Sequence, residues 1–375
     1  MSRIVVLGGG YAGIVCLIEL AKKAPQFELH LIDGNAEHCK ITNLHKTFAN
    51  PVEEFHVPYA QLAERFNFSF HQHQITFTEA DLQSWQQKKA LPLGNIELHF
   101  DFLVIATGAT PVLQREEERV FGLQTLMDGR GPALLEDWSK ISQERQLNIS
   151  VIGAGATGLQ VLFELQEQLH KNCLDYRLNL VDRGSRTASQ LPEAAHRYIV
   201  RKMRREGINY LAETEFCGQT KNSINLKERK TNKEFSLPCD ATLFFPGVKR
   251  SPFAIQTNSY GQVESNGHLL PEIFSAGDSA NYAGSGFNQL AAQAALRKGK
   301  LVAGNIRNLH AGRGLRRYRY QEKGYFLSLG AFDAVGWIGL RCNLIKGFPA
   351  IALKEAMESQ YNLYLGGMDT YVGSL

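Results

Sequence analysis

The stretch Val5-Val6-Leu7-Gly8-Gly9-Gly10-Tyr11-Ala12-Gly13, VVLGGGYAG, decides the fold of this chain. Gly8, Gly10 and Gly13 match the spacing GxGxxG. The run before them, residues 4–7, is apolar and β-branched, as a buried parallel strand requires. Residues 14–21 read as a helix with few polar positions. Residues 27–32 read as a second strand that closes in Asp33, 20 residues beyond Gly13. Each part has a mechanical job. The first glycine permits a tight turn, the second lets backbone N–H groups approach a pyrophosphate, and the third lets helix and strand pack closely. Tyr11 and Ala12 open the helix, whose N-terminal dipole and free N–H groups favour phosphate. Asp33 is placed to accept hydrogen bonds from ribose hydroxyls.

The pattern returns in mid-chain. Residues 148–152 are an apolar strand, and Gly153, Gly155 and Gly158, with Thr157 between the last two, repeat GxGxxG. A helical run over 159–170 and a strand over 176–181 follow, ending in Asp182, 24 residues beyond Gly158. Two complete units predict two dinucleotides and chemistry between them.

Composition is compatible with this. At 375 residues the chain exceeds one ordinary core, so two domains and a small third are expected. It is 44% hydrophobic and 21% charged, with a mean hydropathy of -0.23, as in soluble globular proteins. A net charge of +4 makes no case for nucleic acid. No targeting segment is visible and no apolar run reaches bilayer length, so a cytoplasmic location is expected. The six cysteines form neither CxxC nor CxxxxC pairs. They read as small buried hydrophobes, and no spacing predicts a metal site.

Two further segments are specific. Residues 102–108 read FLVIATG, a strand closing in Ala106-Thr107-Gly108, and residues 273–278 read IFSAGD, a short strand closing in Gly277-Asp278. With both cradles in this order, the chain resembles the two-dinucleotide-binding-domain flavoproteins of the pyridine nucleotide-disulfide oxidoreductase superfamily. The resemblance implies FAD in the first cradle and the nicotinamide cofactor in the second. It implies that ATG closes the first domain and that Asp278 bonds the ribityl and pyrophosphate region of FAD. Residues 242–248, TLFFPGV, which contain Gly247, match the family's second crossing into the FAD domain.

The expected fold is therefore α/β, with two Rossmann-like dinucleotide-binding domains, the NAD domain inserted into a discontinuous FAD domain. Residues 1–112 and 245–325 are expected to form the FAD-binding domain, 113–244 the NAD(P)H-binding domain and 326–375 a C-terminal cap. Residues 68–71, 75–78 and 96–100 read as short antiparallel strands, and 223–226 and 235–237 as strands at the tail of the inserted domain. Asp182 favours NADH, because a carboxylate repels a 2′-phosphate. Arg183 and Arg186 follow at once and are of the type that pairs with that phosphate, which keeps NADPH open.

The acceptor is read from the last third of the chain. Residues 320–330, YQEKGYFLSLG, resemble the tyrosine–lysine–glycine stretch of type II NADH:quinone oxidoreductases. They also resemble the related ferroptosis-suppressor-like and apoptosis-inducing-factor-like reductases. Asp333-Ala334-Val335-Gly336 stands in the place of a DGVG sequence, and Ala292-Gln293-Ala294-Ala295 resembles the family's AQ motif near flavin and quinone. The resemblance implies a quinone acceptor, puts Gln293 at the flavin, and makes Lys323, Gln160 and Arg297 the candidate catalytic residues. The cofactors carry the chemistry, hydride passing from NADH to flavin and electrons on to the acceptor, with no side-chain nucleophile.

Three departures from the family pattern stand out. Gln160 replaces a usual glutamate and cannot ionise. Arg297 replaces a usual glutamine and suits an anionic acceptor. Residues 347–357 resemble the start of the family's membrane-docking helix, yet Lys354, Glu355 and Glu358 fall where that helix is usually apolar, and a second amphipathic helix has no room before Leu375. The basic run Arg313, Arg316, Arg317, Arg319 and Lys323 suits anionic headgroups. Peripheral contact with the inner face of a membrane therefore stays open, as does a homodimer. Two rival functions stay open as well: an NADH-binding redox sensor, and a reductase for a small iron–sulfur carrier protein docked on the basic run.

Overall fold

The computed structural model describes residues 2–111, 118–249, 255–283 and 290–368. Apolar strands buried on both faces build the first sheet. Arg3–Leu7 pairs in parallel with Glu28–Asp33 on one side and Phe102–Ile105 on the other. Ser69–Gln72 and His268–Ser275 extend it in parallel at the two flanks. Gln262–Ser265, Ile255–Thr257 and Ala280–Tyr282 complete eight strands. The helix Tyr11–Lys23 leaves the first strand through the glycine turn and packs on the helix Ala292–His310. Their approach is close: a Cβ on Gly299 would lie 2.3 Å from the Ala12 carbonyl oxygen.

The second sheet is entirely parallel, in the order Val120–Phe121, Ala241–Phe244, Leu147–Ile152, Tyr176–Val181, Asn209–Leu211. The helix Ala156–Lys171 covers it with Leu159, Leu162, Phe163 and Leu169 fully buried. Thr214–Gln219, Ser223–Glu228 and Glu234–Pro238 form an antiparallel sheet beside it; the last two are the expected strands and the first is an addition. The α/β class with two Rossmann-like sheets is thus observed.

Residues 68–100 depart from the expected antiparallel strands. Ser69–Gln72 is a parallel edge strand of the first sheet, and residues 75–77 are not a strand. Thr78 instead caps the helix Glu79–Lys88, its N–H and Oγ1 both donating to Asp81 Oδ2 at 2.7 Å. Thr-Glu-Ala-Asp is a capping box, and the alternation upstream of it obscured that signal. Ala90–Leu93 and Ile96–His99 do form an antiparallel hairpin.

Gly324–Ser328, Ala334–Ile338 and Leu344–Lys346 form a last antiparallel sheet, and the first of these strands runs across the expected 325/326 boundary. The expected boundary at 112/113 lies outside the described residues. The helix Phe348–Leu365 follows, with its charges paired. Lys354 is buried and bonds Glu358, while Glu355 and Glu358 hold Lys46 Nζ at 2.7 and 3.1 Å. The outward side carries Ala352, Leu353, Ala356, Met357 and Leu363, with Ser359 and Asn362 among them. Among the described residues, no helix is long and apolar enough to cross a membrane.

Candidate functional site

The two glycine turns are built alike. Gly8 and Gly153 have φ of +105° and +102°, where a side chain would be strained. A Cβ on Gly8 would lie 2.4 Å from the Ala106 oxygen, and one on Gly153 2.1 Å from that of Phe245, so each turn presses against the end of the adjacent strand. A Cβ on Gly13 or Gly158 would lie 1.9 Å from the carbonyl oxygen of Gly8 or Gly153. The middle glycines differ from these. Gly10 and Gly155 are exposed, and a Cβ on either would meet nothing within 4 Å. Among the described residues no atom takes that space, which fits a ligand backbone at each mouth.

The strand-end acids also match. Asp33 accepts Gly9 N–H at 2.7 Å and Asn35 N–H at 2.8 Å. Asp182 accepts Ala154 N–H at 2.7 Å and Gly184 N–H at 2.6 Å. A carboxylate has about four lone-pair sites, so Asp182 keeps capacity for ribose hydroxyls, whereas Asp33 also accepts from Asn35 Nδ2 at 3.1 Å and the Tyr59 hydroxyl at 3.5 Å and would exchange these long bonds for ribose hydroxyls. The residues present therefore fit a dinucleotide at both turns.

Around the first turn, the Tyr11 hydroxyl is 2.9 Å from Thr42 Oγ1. Thr107 is exposed at the strand end and Gly108 has a φ of +76°. Gly277, with a φ of +79°, packs on Ala12, where its Cβ would come to 3.0 Å, and Asp278 follows it in the 3-10 turn Gly277–Ser279. This turn is fixed by a residue the sequence reading missed. Lys298 is buried and donates to the carbonyls of Gly277 and Ala280 at 3.0 and 2.9 Å, its ammonium 4.9 Å from the Tyr282 ring centre.

Gln160 joins three segments. Its amide donates to Ser328 Oγ at 2.9 Å and lies 3.3 Å from His45 Nε2, which is itself 3.1 Å from Ser328 Oγ. All three side chains are buried. Burial, reinforced by Lys354 and Lys46, holds the His45 imidazole well below its ordinary pKa, so this cluster is neutral. Arg297 stacks on Tyr320, 5.1 Å from the ring centre, and the Tyr320 hydroxyl donates to Gln293 at 3.3 Å. Arg297 and Gln293 are thus brought together. Lys323 is exposed, two residues beyond the Gln321 carbonyl that accepts from Arg297.

At the second turn, Thr157 lies in the first turn of its helix, and Gly247, with a φ of +100°, follows the strand Ala241–Phe244. Arg183 is exposed. Arg186 is engaged by Glu193 at 2.9 Å and by the Leu191 carbonyl at 3.0 Å. None of the six cysteines is in a disulfide; Cys16 and Cys239 are buried as expected, whereas Cys173, Cys217 and Cys342 are exposed, and burial with Glu37 pushes the Cys39 thiol up to about 12, so it stays protonated.

A family model described as pyridine nucleotide-disulphide oxidoreductase matches residues 2–299. The chain belongs to that family. Among its relatives, a protein named type II NADH:quinone oxidoreductase from Staphylococcus saprophyticus is 23% identical over 398 residues, covering 98% of this chain and 96% of the relative. Its namesake from Staphylococcus epidermidis is 25% identical over 400 residues, with the same coverage. Of solved structures, NDH2 from Plasmodium falciparum in complex with NADH superposes with a TM-score of 0.80 at 13% identity, covering 96% of this chain and 94% of that one. The sulfide:quinone oxidoreductase of Aquifex aeolicus gives 0.77 at 16% identity, covering 97% and 91%. These structural likenesses speak to the fold.

Proposed function

We propose that this family member is an FAD-dependent NADH:quinone oxidoreductase. The observation that carries the reading is the pair of matched cradles in one chain, each with an open middle glycine and a strand-end aspartate. Residues 1–112 and 245–325 serve FAD, residues 113–244 serve NADH, and residues 326–375 cap the molecule. FAD, when bound, supplies the two-electron carrier between NADH and the acceptor. The protein binds and orients the two dinucleotides. Gly8, Gly10 and Gly13 with Asp33, the Ala106-Thr107-Gly108 strand end and Gly277-Asp278 hold FAD. Gly153, Gly155, Thr157 and Gly158 with Asp182, Arg183 and Gly247 hold NADH. NADH is favoured over NADPH because Asp182 repels a 2′-phosphate and Arg186 is engaged elsewhere. Gln160 contributes hydrogen bonding without charge. Arg297 beside Gln293 supplies fixed positive charge for an anionic acceptor state, and Lys323 adds to it from the exposed side.

The mostly apolar outer side of the helix Phe348–Leu365, together with exposed Phe332, Leu340 and Phe348, supports peripheral contact with the inner face of a membrane. The charges that argued against it in the sequence are engaged in ion pairs, Lys354 with Glu358 and both Glu355 and Glu358 with Lys46. Cofloat with liposomes is the expected result, and protein left wholly in the soluble fraction would remove this element.

Steady-state oxidation of NADH by a water-soluble quinone tests the function. Rapid turnover that is weakly salt-dependent supports it. Turnover only with an acidic iron–sulfur carrier, falling steeply with salt, would replace the quinone. Reduction without turnover would make the protein a sensor.

A further inference from the structure

The Gly9–Gly10 peptide lies at the mouth of the first cradle. Its carbonyl accepts from His38 Nδ1 at 3.0 Å. A carbonyl only accepts, so Nδ1 carries the proton. His38 is buried, and burial pushes its imidazole down to about 4, so the ring is neutral. Nε2 must then be an acceptor, and the Tyr361 hydroxyl stands 2.9 Å from it. Tyr361 is buried on the helix Phe348–Leu365, and burial raises its phenol, which keeps its proton. A directed chain results: Tyr361 O–H donates to His38 Nε2, and His38 Nδ1–H donates to the Gly9 carbonyl.

This chain fixes which way the peptide faces. In a trans peptide the C=O and the following N–H point in opposite directions. With the Gly9 carbonyl drawn to His38, the Gly10 N–H points away from it, and Gly10 is the exposed residue of the turn. An anion at the mouth meets an N–H rather than carbonyl lone pairs. The second cradle makes the same choice by another route. There the Ala154 carbonyl accepts the backbone N–H of Ala188 at 2.8 Å. The inward carbonyl is common to both turns, and only the donor differs.

We propose that His38 and Tyr361 are positioning residues for the first dinucleotide: the C-terminal helix, through the Tyr361 hydroxyl and the His38 ring, sets the peptide that receives the FAD pyrophosphate. This rests on the reading of the first cradle as the FAD site. The same helix grips that region at three more points. Tyr364 donates to Glu19 at 3.1 Å, Lys40 to Asn362 at 3.2 Å, and Arg65 to the Leu365 carbonyl at 2.7 Å. Loss of the Tyr361 hydroxyl leaves a buried ring nitrogen without its donor. The imidazole proton can then sit on Nε2, which turns the Nδ1 lone pair against the Gly9 carbonyl and frees the peptide to rotate.

The test is the rate of FAD release from purified holoprotein, read as the rise in flavin fluorescence on dilution, with thermal melts of apo- and holoprotein and NADH binding to the second cradle measured beside it. Y361F and H38L should each release FAD about tenfold faster, with NADH binding unchanged. H38N, whose amide N–H can replace Nδ1–H, should restore slow release. Wild-type release rates in Y361F and H38L would overturn the inference while leaving the FAD site standing. So would faster release matched by an equal loss of apoprotein stability, since that marks a merely structural role. A wild-type protein that retains no FAD overturns the inference together with the reading beneath it.

Discussion

The two cradles share a motif, a turn and an acid, yet they are secured differently. The second holds its inward carbonyl with a nearby backbone N–H, that of Ala188. The first holds the equivalent carbonyl with a side chain that is itself held by the last helix. A further contrast lies one residue on from the first glycine. Ala154 accommodates its Cβ in the second turn, whereas a Cβ on Gly9 would lie 2.2 Å from the Tyr59 hydroxyl. The first cradle is braced by the side chains of Tyr59, His38 and Tyr361, and the second by the backbone of the loop that follows its own strand Tyr176–Val181. That difference matches the proposed roles: FAD stays through every turnover, while the nicotinamide must enter and leave.

The comparison can be broken most forcefully at the first glycines. Gly8→Val and Gly153→Val each place a branched side chain at positive φ against a strand-end carbonyl, at an expected cost of about 4 kcal/mol. G8V should be purified without flavin. G153V should retain flavin that NADH no longer bleaches. Equal flavin loss in both would mean that the cradles are not separate sites.

Acid should act next, and on the first cradle more than the second. His38 sits at about 4 in the fold against 6.5 unfolded, so the unfolded chain takes the proton first. The stability it lends is whole above pH 6.5 and is lost as the pH falls toward 4, up to about 3 kcal/mol. The groups that face the ring are Lys40, Asp33, His56, Tyr361 and Tyr11, whose ring stands edge-on at 5.1 Å. FAD release should quicken across that window, and H38N should flatten the response. A pH-independent release rate in wild type would contradict the assignment.

A swap of the second turn residues gives a smaller effect. Gly9→Ala must displace Tyr59 and should cost about 2 kcal/mol, while Ala154→Gly should cost under about 1 kcal/mol. Thermal melts of the two variants read the asymmetry directly, and similar shifts would show that Tyr59 yields freely. Smallest in stability is L353D/M357D on the outer side of the last helix, expected within about 0.5 kcal/mol of wild type. The same variant should lose liposome binding, and unimpaired flotation would move the membrane contact to another surface.

The sequence displayed the cradles because their requirements are local. Glycine at fixed spacing, an apolar strand before it and an acid at the next strand's end all lie within one βαβ unit, and the structure places Gly8, Gly13, Asp33 and their second copies accordingly. What secures the first cradle was not legible, because its partners are remote in the chain. His38 reads as an ordinary histidine on a short edge strand until Tyr361 arrives from the far end. Lys298 reads as one more charge on a helix until two carbonyls close on its ammonium. The charges of the last helix misled for a related reason. Lys354, Glu355 and Glu358 look solvent-bound in sequence, but Lys46 on the segment Ile41–Phe48 pairs with both glutamates and leaves the apolar side outward. Gln160 stands out as a departure in sequence, while its neutral partners His45 and Ser328 carry no local signature.

The measurement that bears most directly on the account is an anaerobic absorbance titration of the holoprotein with NADH, followed by quinone in the same cuvette. Two working cradles predict that the flavin band bleaches near stoichiometric NADH and returns when quinone is added. A flavin band that stays unbleached in excess NADH, with the cofactor present, would contradict it.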